Sequence, residues 1–137
     1  MPNHRVKAAV DETYPQILSD CFGLWSNSLW LRYSGLDDFS DQKEAFFYLI
    51  ERLLTEGAIR FVKPNEDVYF IADRAPPKKN ASDTEAHWLV PNDVILDYLQ
   101  KLWPKHAAEF DDIDLNMFFF EIPPIVWRDE DGKWIGS

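Results

Sequence analysis

Residues 41–57 constrain the fold most, because they carry every local signal of an amphipathic helix. Apolar side chains recur there at the helical period and define one face, which consists of Phe46, Leu49, Ile50, Leu53 and Leu54. Ser40 or Asp41 can cap the start, Asp41 and Glu44 have the spacing of a capping box, and Gly57 is suited to end the helix. A helix with one apolar stripe must bury it against other elements, so a layered domain is expected.

Two further segments have helical periodicity. Apolar residues between Tyr14 and Trp25 predict a first helix within residues 13–31, with Pro15 in its first turn, the only place that tolerates it. A third helix is predicted from Asn92, as the capping residue, to Pro104, which ends it. Its apolar face consists of Ile95, Tyr98, Leu99, Leu102 and Trp103.

The remaining apolar segments favour strands. Residues 58–63 and 68–72 flank a short polar loop and predict a β-hairpin, and residues 125–128 and 133–135 predict a second one. Residues 88–90 and the apolar residues 117–122 are also β-prone.

This order of elements predicts one α+β domain spanning residues 1–137. We expect about three helices, with antiparallel hairpins forming a small sheet. The Pro-, Lys- and Asn-rich residues near 73–85 predict a mobile loop.

Composition limits the partners and the compartment. The chain has 137 residues, of which 46% are hydrophobic, and a net charge of −10. A sequence-independent grip on nucleic acid needs an excess of Lys and Arg, as does binding to an anionic membrane, so neither partner is expected. The single cysteine, Cys21, excludes an internal disulfide, and the first residues contain no signal-peptide-like apolar run. A cytoplasmic protein is therefore expected.

The excess negative charge comes from two segments, residues 37–72 with a net of −4 and residues 107–137 with a net of −6. One interpretation is that these carboxylates keep an aromatic-rich protein soluble. The other is that they form a surface that attracts a cationic partner. The candidate protein-binding residues are Asp37, Asp38, Asp41, Asp111, Asp112, Asp114, Asp129, Glu130 and Asp131.

No motif predicts a catalytic residue, a metal ligand or a cofactor. Cys21 lies on an apolar helix face, where burial makes a thiol unreactive, and the three histidines lack metal-ligand spacing. The acids before Gly132 resemble a calcium loop, but its first ligand position would be Trp127, so a hairpin turn is the better interpretation. The helix and hairpin of residues 41–72 have the order of a winged helix, yet the helix is not basic enough to read DNA.

Three consecutive phenylalanines, Phe118 to Phe120, stand in the predicted strand of residues 117–122. Successive strand residues point to opposite faces, so Phe119 would not share a face with its two neighbours. Either both faces are covered within the fold, or one aromatic row meets a partner.

The C-terminal half resembles a family of small uncharacterised bacterial proteins. The resemblance rests on residues 98–105, on Asp114-Leu115-Asn116, on residues 119–123, and on Trp127 with the two later Gly-containing pairs 131–132 and 136–137. That family carries no assigned catalytic residues, so the resemblance implies none here. In size and acidity the chain is also similar to bacterial immunity proteins, which neutralise a toxin by covering it.

These observations lead us to expect a non-catalytic acidic binding protein. The leading hypothesis is an immunity protein that neutralises a basic toxin, such as a nuclease, with carboxylates that steer association and aromatic side chains that hold the complex. One alternative is a housekeeping or regulatory protein that self-associates as a homodimer. Another is an acidic mimic of DNA that occupies a DNA-binding protein.

Overall fold

Four α-helices and a three-stranded antiparallel sheet form the fold in the computed structural model, which describes residues 3–68, 73 and 75–136. The helices are α1 (His4–Cys21), α2 (Phe39–Thr55), α3 (Asn92–Leu102) and α4 (Ile113–Glu121). The strands are β1 (Ile59–Phe61), β2 (Ile125–Arg128) and β3 (Trp134–Gly136). Two short 3₁₀ helices lie at Ser26–Leu29 and Thr84–Ala86. The predicted α+β class is confirmed, with one helix more than expected.

The first helix begins and ends earlier than predicted. The side chain of Asn3 accepts a hydrogen bond from the Val6 amide and caps α1, so Pro15 lies inside the helix rather than in its first turn. Val6 and Val10 extend the buried stripe toward the N-terminus, which is the signal that the prediction missed. After Cys21 the chain turns and continues only as a 3₁₀ helix.

The second and third helices lie where the periodicity placed them. The prediction that Ser40 or Asp41 caps α2 is wrong, because the capping position is Asp38 and Asp41 lies in the first turn. Gly57 follows α2 with a φ of +70°, the left-handed conformation expected of a residue that ends a helix. For α3 the capping position is Pro91 rather than Asn92, whose side chain instead donates to the Thr55 hydroxyl.

The two N-terminal helices run in the same direction. Asn3 contacts Asp41 near the start of α2, and Asp11 accepts hydrogen bonds from Tyr48 and Arg52 farther along it. The C-terminal end of α1 therefore lies beside the end of α2, against the sheet.

The sheet has the order β1-β2-β3, with both pairs antiparallel. The predicted hairpin of residues 125–128 and 133–135 is confirmed as β2 and β3. Ile59 of β1, in the first strand of the hairpin predicted for residues 58–63 and 68–72, pairs with Trp127 of β2. Residues 69–72 lie outside the described residues.

Residues 88–90 form no strand, and the local bridge joins Val62 to His87 instead. The Trp88 amide nevertheless donates to the Phe61 carbonyl, so this segment runs along the edge of β1.

The strand predicted for residues 117–122 is wrong, because Ile113 to Glu121 form α4. The Asp112 side chain accepts from the Asp114 amide and caps this helix, so these two acidic residues stand at its beginning. Leu115, Phe118 and Phe119 lie on one helical face and are buried. The high β-propensity of Phe and Ile is overridden here by the cap and by this packing.

The core is largely aromatic. Trp30, Phe46, Trp103, Phe118 and Phe119 pack with ring centroids 5.0 to 6.5 Å apart in tilted or edge-to-face pairs. The indole nitrogen of Trp30 donates to the carbonyl of Phe110, which fixes the segment that leads into α4. The core therefore contacts α4 through the face that carries the buried Phe118 and Phe119.

Candidate protein-binding surface

The outer face of α4 is apolar and uncovered. Ile113, Met117 and Phe120 follow each other at four and three residues, so they form a stripe along the side opposite to the buried face. Their exposures are 75%, 57% and 70%. An amphipathic surface helix normally turns polar residues to water, so this second apolar stripe is a feature of interaction surfaces.

Trp25 extends the stripe beyond the helix. Its ring lies 5.6 Å from that of Phe120, nearly perpendicular to it, and it is 42% exposed. We call Ile113, Met117, Phe120 and Trp25 together the α4 face. Beside the two rings lies a hollow of about 180 Å³, whose floor includes Phe119 and Ile125.

The turn after α1 places Trp25 on this surface. Gly23 has a φ of +79°, which allows the chain to reverse out of the helix. The buried indole of Trp127 donates to the carbonyl of Leu24 at 3.0 Å and fixes the turn. The Ser26 hydroxyl lies 3.5 Å from the Phe119 carbonyl, which ties the turn to α4. Core groups therefore anchor the exposed ring of Trp25.

The charged side chains of α4 and of the segment that leads into it are all negative. Residues 109–121 contain five carboxylates and neither Lys nor Arg. Asp114 and Glu121 flank the apolar stripe on the same side of the helix, and both are exposed. Arg32 pairs with Asp111 at 3.1 Å and lies over the Phe110 ring at 4.1 Å. The surface therefore combines an apolar centre with a carboxylate rim.

The nine predicted acidic residues do not form one cluster. Asp37 and Asp38 precede α2, whereas the turn of residues 129–131 follows β2, whose Arg128 amide donates to the Ala58 carbonyl after the end of α2. A helix of this length spans about 25 Å, which separates the two groups. Asp111 lies near the start of α2, because Phe110 stacks on Trp30 and Trp30 contacts Phe39.

Several of these carboxylates have structural roles. Asp41 is buried and pairs with Arg5, and it also accepts from Asn3. Asp129 accepts hydrogen bonds from the amides of Asp131 and Lys133, which shapes the turn of the β2-β3 hairpin. The exposed members of the set are Asp37, Asp38, Asp111, Asp114, Glu130 and Asp131.

The sequence did not indicate Met117 and Phe120 as surface residues because residues 117–122 predict a strand, and it placed Trp25 on the apolar face of the first helix. The signal was present, since 113, 117 and 120 share a helical face while 115, 118 and 119 share the opposite one. Phe118 and Phe119 belong to the core, and Phe120 belongs to the surface.

The single cysteine is buried, and the described residues contain no group of side chains suited to hold a metal ion. The Cys21 thiol is buried and lies 3.5 Å from the Ser28 carbonyl, and burial raises the pKa of this thiol. Over residues 3–68, 73 and 75–136, no three His, Cys, Asp or Glu side chains are grouped to hold a metal ion. Within the same residues, no helix has the length and apolar character needed to span a membrane.

Comparison with known proteins shows that this fold occurs in another bacterial protein. No protein-family model matches the sequence, and no curated protein matches it. The solved structure of an uncharacterised protein conserved in bacteria, from Neisseria meningitidis, matches with a TM-score of 0.61 and 20% identity. The match covers 98% of this chain and 91% of that chain. The fold is therefore shared along nearly the whole length with an uncharacterised bacterial protein. This agrees with the resemblance to small uncharacterised bacterial proteins.

Proposed function

We propose that this protein is a non-catalytic binding protein whose α4 face docks a cationic protein partner. The observation that carries the proposal is the exposed stripe of Ile113, Met117 and Phe120, which lies beside Trp25 and is flanked on the helix by the carboxylates of Asp114 and Glu121. Aromatic residues and methionine are enriched in interface cores, where charged residues are depleted, and the rim of an interface is polar and accessible to solvent. The arrangement matches that anatomy.

The charge of the surface favours a basic partner over a second copy of the same chain. Two α4 faces in contact would bring five carboxylates from each copy together, with one nearby guanidinium each, that of Arg32. Like charges opposed across an interface cost free energy, whereas a cationic partner would gain both steering and rim contacts. Self-association through this face is therefore the second candidate.

Among cationic partners, a basic bacterial toxin such as a nuclease fits best. An enzyme that acts on nucleic acid needs a positive surface, which a carboxylate-rimmed face complements. The role would be that of an immunity protein in a toxin–antitoxin pair, acting by steric cover and electrostatic attraction. The DNA-mimic alternative rests on the same complementarity but needs the rows of acids to be spaced along one surface, and the nine acids are divided between the two ends of α2.

The first experiment measures association with the purified product of the open reading frame immediately upstream. We expect an association rate that falls steeply between about 50 and 200 mM salt, because exposed charges are screened over about 8 to 10 Å. Asp114→Asn with Glu121→Gln should slow association several-fold. Glu51→Gln with Glu12→Gln, an equal charge change on α1 and α2, is the matched control.

Two results would overturn the proposal. One is an association rate that does not respond to salt or to the Asp114 and Glu121 substitutions. The other is a stable homodimer in sedimentation equilibrium that Phe120→Asp converts to a monomer, since that would assign the α4 face to self-association.

A further inference from the structure

Two arginines and a tryptophan share one face of the sheet, on the side opposite to Ile125 and Trp127. Arg128 pairs directly with Trp134 across β2 and β3, and Arg60 pairs with Val126, two residues before Arg128. Side chains two residues apart on a strand point the same way, so Arg60, Arg128 and Trp134 lie together.

These side chains line a pocket of about 250 Å³. Its other wall comes from the segment that enters α3, including Trp88, Leu89 and Asn92. No Asp or Glu lines the pocket. In a chain with 24 carboxylates and 14 basic residues, a cavity with two guanidinium groups and no acid is an exception to the rest of the surface.

The two arginines also differ from the others in their partners. Five arginines lie in the described part of the chain, and Arg5, Arg32 and Arg52 each pair with a carboxylate within 4 Å. Among the described ion pairs none includes Arg60 or Arg128, and both of these line the same pocket. Neither guanidinium therefore has a carboxylate partner within 4 Å among the described ion pairs.

Arg60 is held in place for binding. Its guanidinium lies over the Trp134 ring at 4.3 Å, and its Nη1 lies 3.3 Å from His87 Nδ1. His87 Nε2 lies 2.8 Å from the Ala81 carbonyl, so Nε2 carries the proton and Nδ1 accepts from Arg60. One guanidinium edge is thus used internally, and the remaining donors are left for a ligand.

We propose that this pocket binds a small carboxylate or phosphate ligand through Arg60 and Arg128, with an apolar or aromatic part of the ligand against Trp88 and Trp134. The planar guanidinium fork matches the two oxygens of a carboxylate or phosphate. Tryptophan faces accept flat apolar groups. The volume is slightly below that of a typical drug-sized site, which suits a single-ring compound.

The overall charge of the protein distinguishes specific anion binding from general electrostatic attraction. With a net charge of −10 the protein repels anions at long range, so binding of an anion must come from local contacts. This site is independent of the α4 face and does not depend on the proposed function.

The test titrates the protein with inorganic phosphate, acetate, benzoate and phenyl phosphate, read by tryptophan fluorescence and by the indole NMR signals. We expect the two aromatic anions to shift the Trp88 and Trp134 signals and to bind more tightly than phosphate and acetate. Arg60→Gln and Arg128→Gln should each weaken binding about tenfold or more, because a charge-assisted hydrogen bond is lost. Arg60→Lys keeps the charge but loses the fork and should also weaken binding.

Arg32→Gln is the matched control, because it makes the same charge change at an exposed arginine elsewhere. Equal weakening by Arg32→Gln would show general electrostatics and would overturn the proposal. Each probe is added to about 20 mM, which is on the order of the weakest measurable dissociation constants. If none of the four probes shifts the tryptophan signals at that concentration, the proposal is overturned too. If Arg60→Gln does not fold, as judged by circular dichroism, Arg128→Gln gives the decision, because its side chain is exposed.

Discussion

Phe118 and Phe120 should respond oppositely to truncation, although they are two residues apart. In α4, Phe118 is 1% exposed, and its ring lies 5.0 Å from Trp103, 5.3 Å from Phe119 and 6.2 Å from Phe46. Phe120 is 70% exposed, and its described ring contact is with Trp25. In a strand, by contrast, the two side chains would share one face and one environment.

The magnitudes follow from these environments. Phe118→Ala removes a buried ring and leaves a cavity, which costs about 3–5 kcal/mol of unfolding free energy. Since a domain has a total of roughly 5–15 kcal/mol, this variant should be close to unfolding. Phe120→Ala loses one partly exposed aromatic pair, worth about 0.5–1.5 kcal/mol, and regains about half of that through the higher helix propensity of alanine.

Urea unfolding monitored by circular dichroism measures both variants against the wild type. We expect a loss of about 3–5 kcal/mol for Phe118→Ala and about 1 kcal/mol or less for Phe120→Ala. Equal losses for the two variants, or a larger loss for Phe120→Ala, would refute the helical assignment of residues 113–121 and with it the α4 face.

Two more predictions concern stability. Asp112→Ala removes the cap of α4 and should lower the free energy of unfolding in urea by about 1 kcal/mol. Asp111→Ala breaks only an exposed pair with Arg32 and should lower it by less than about 0.5 kcal/mol. Equal losses for the two variants would contradict the capping role of Asp112. Burial and the nearby Arg60 charge lower the pKa of His87 in the folded protein, although the Ala81 carbonyl and Asp83 oppose the shift. The unfolded chain therefore binds a proton first, so the stabilising contribution of neutral His87 is complete above a pH of about 6.5 and is lost as the pH falls below it. Unfolding midpoints measured from pH 7.5 to 5 should fall more steeply for the wild type than for His87→Gln, and parallel curves would contradict this assignment.

Local sequence signals predicted the elements whose stability is local. The helix before Gly57 and the helix before Pro104 each combine a periodic apolar stripe with end signals, and the last hairpin has a short polar turn with Gly132. Their positions in the sequence were therefore accessible without tertiary information.

The rest depended on contacts that are distant in sequence. The partner of Ile59 is Trp127, far along the chain, and nothing local to residues 58–72 shows that pairing. The helix of residues 113–121 is apolar on two faces, so its single-sequence pattern resembles a buried strand until Leu115 and Phe118 are seen against the core. The candidate surface could not be predicted for the same reason. Asp41 and Asp129 were predicted to bind a partner because the sequence does not show the hydrogen bonds that their carboxylates accept within the fold.

The most direct test of the α4 face is a growth-rescue assay. Cells express the product of the upstream open reading frame together with the wild type, with Met117→Ala/Phe120→Ala, or with Val94→Ala, an exposed aliphatic control on α3. We predict that the wild type and Val94→Ala restore growth and that the double variant does not, since hot-spot truncation costs about 2 kcal/mol or more per residue. Rescue by the double variant at equal expression would contradict docking through the α4 face, and an upstream product that does not slow growth would contradict the immunity role.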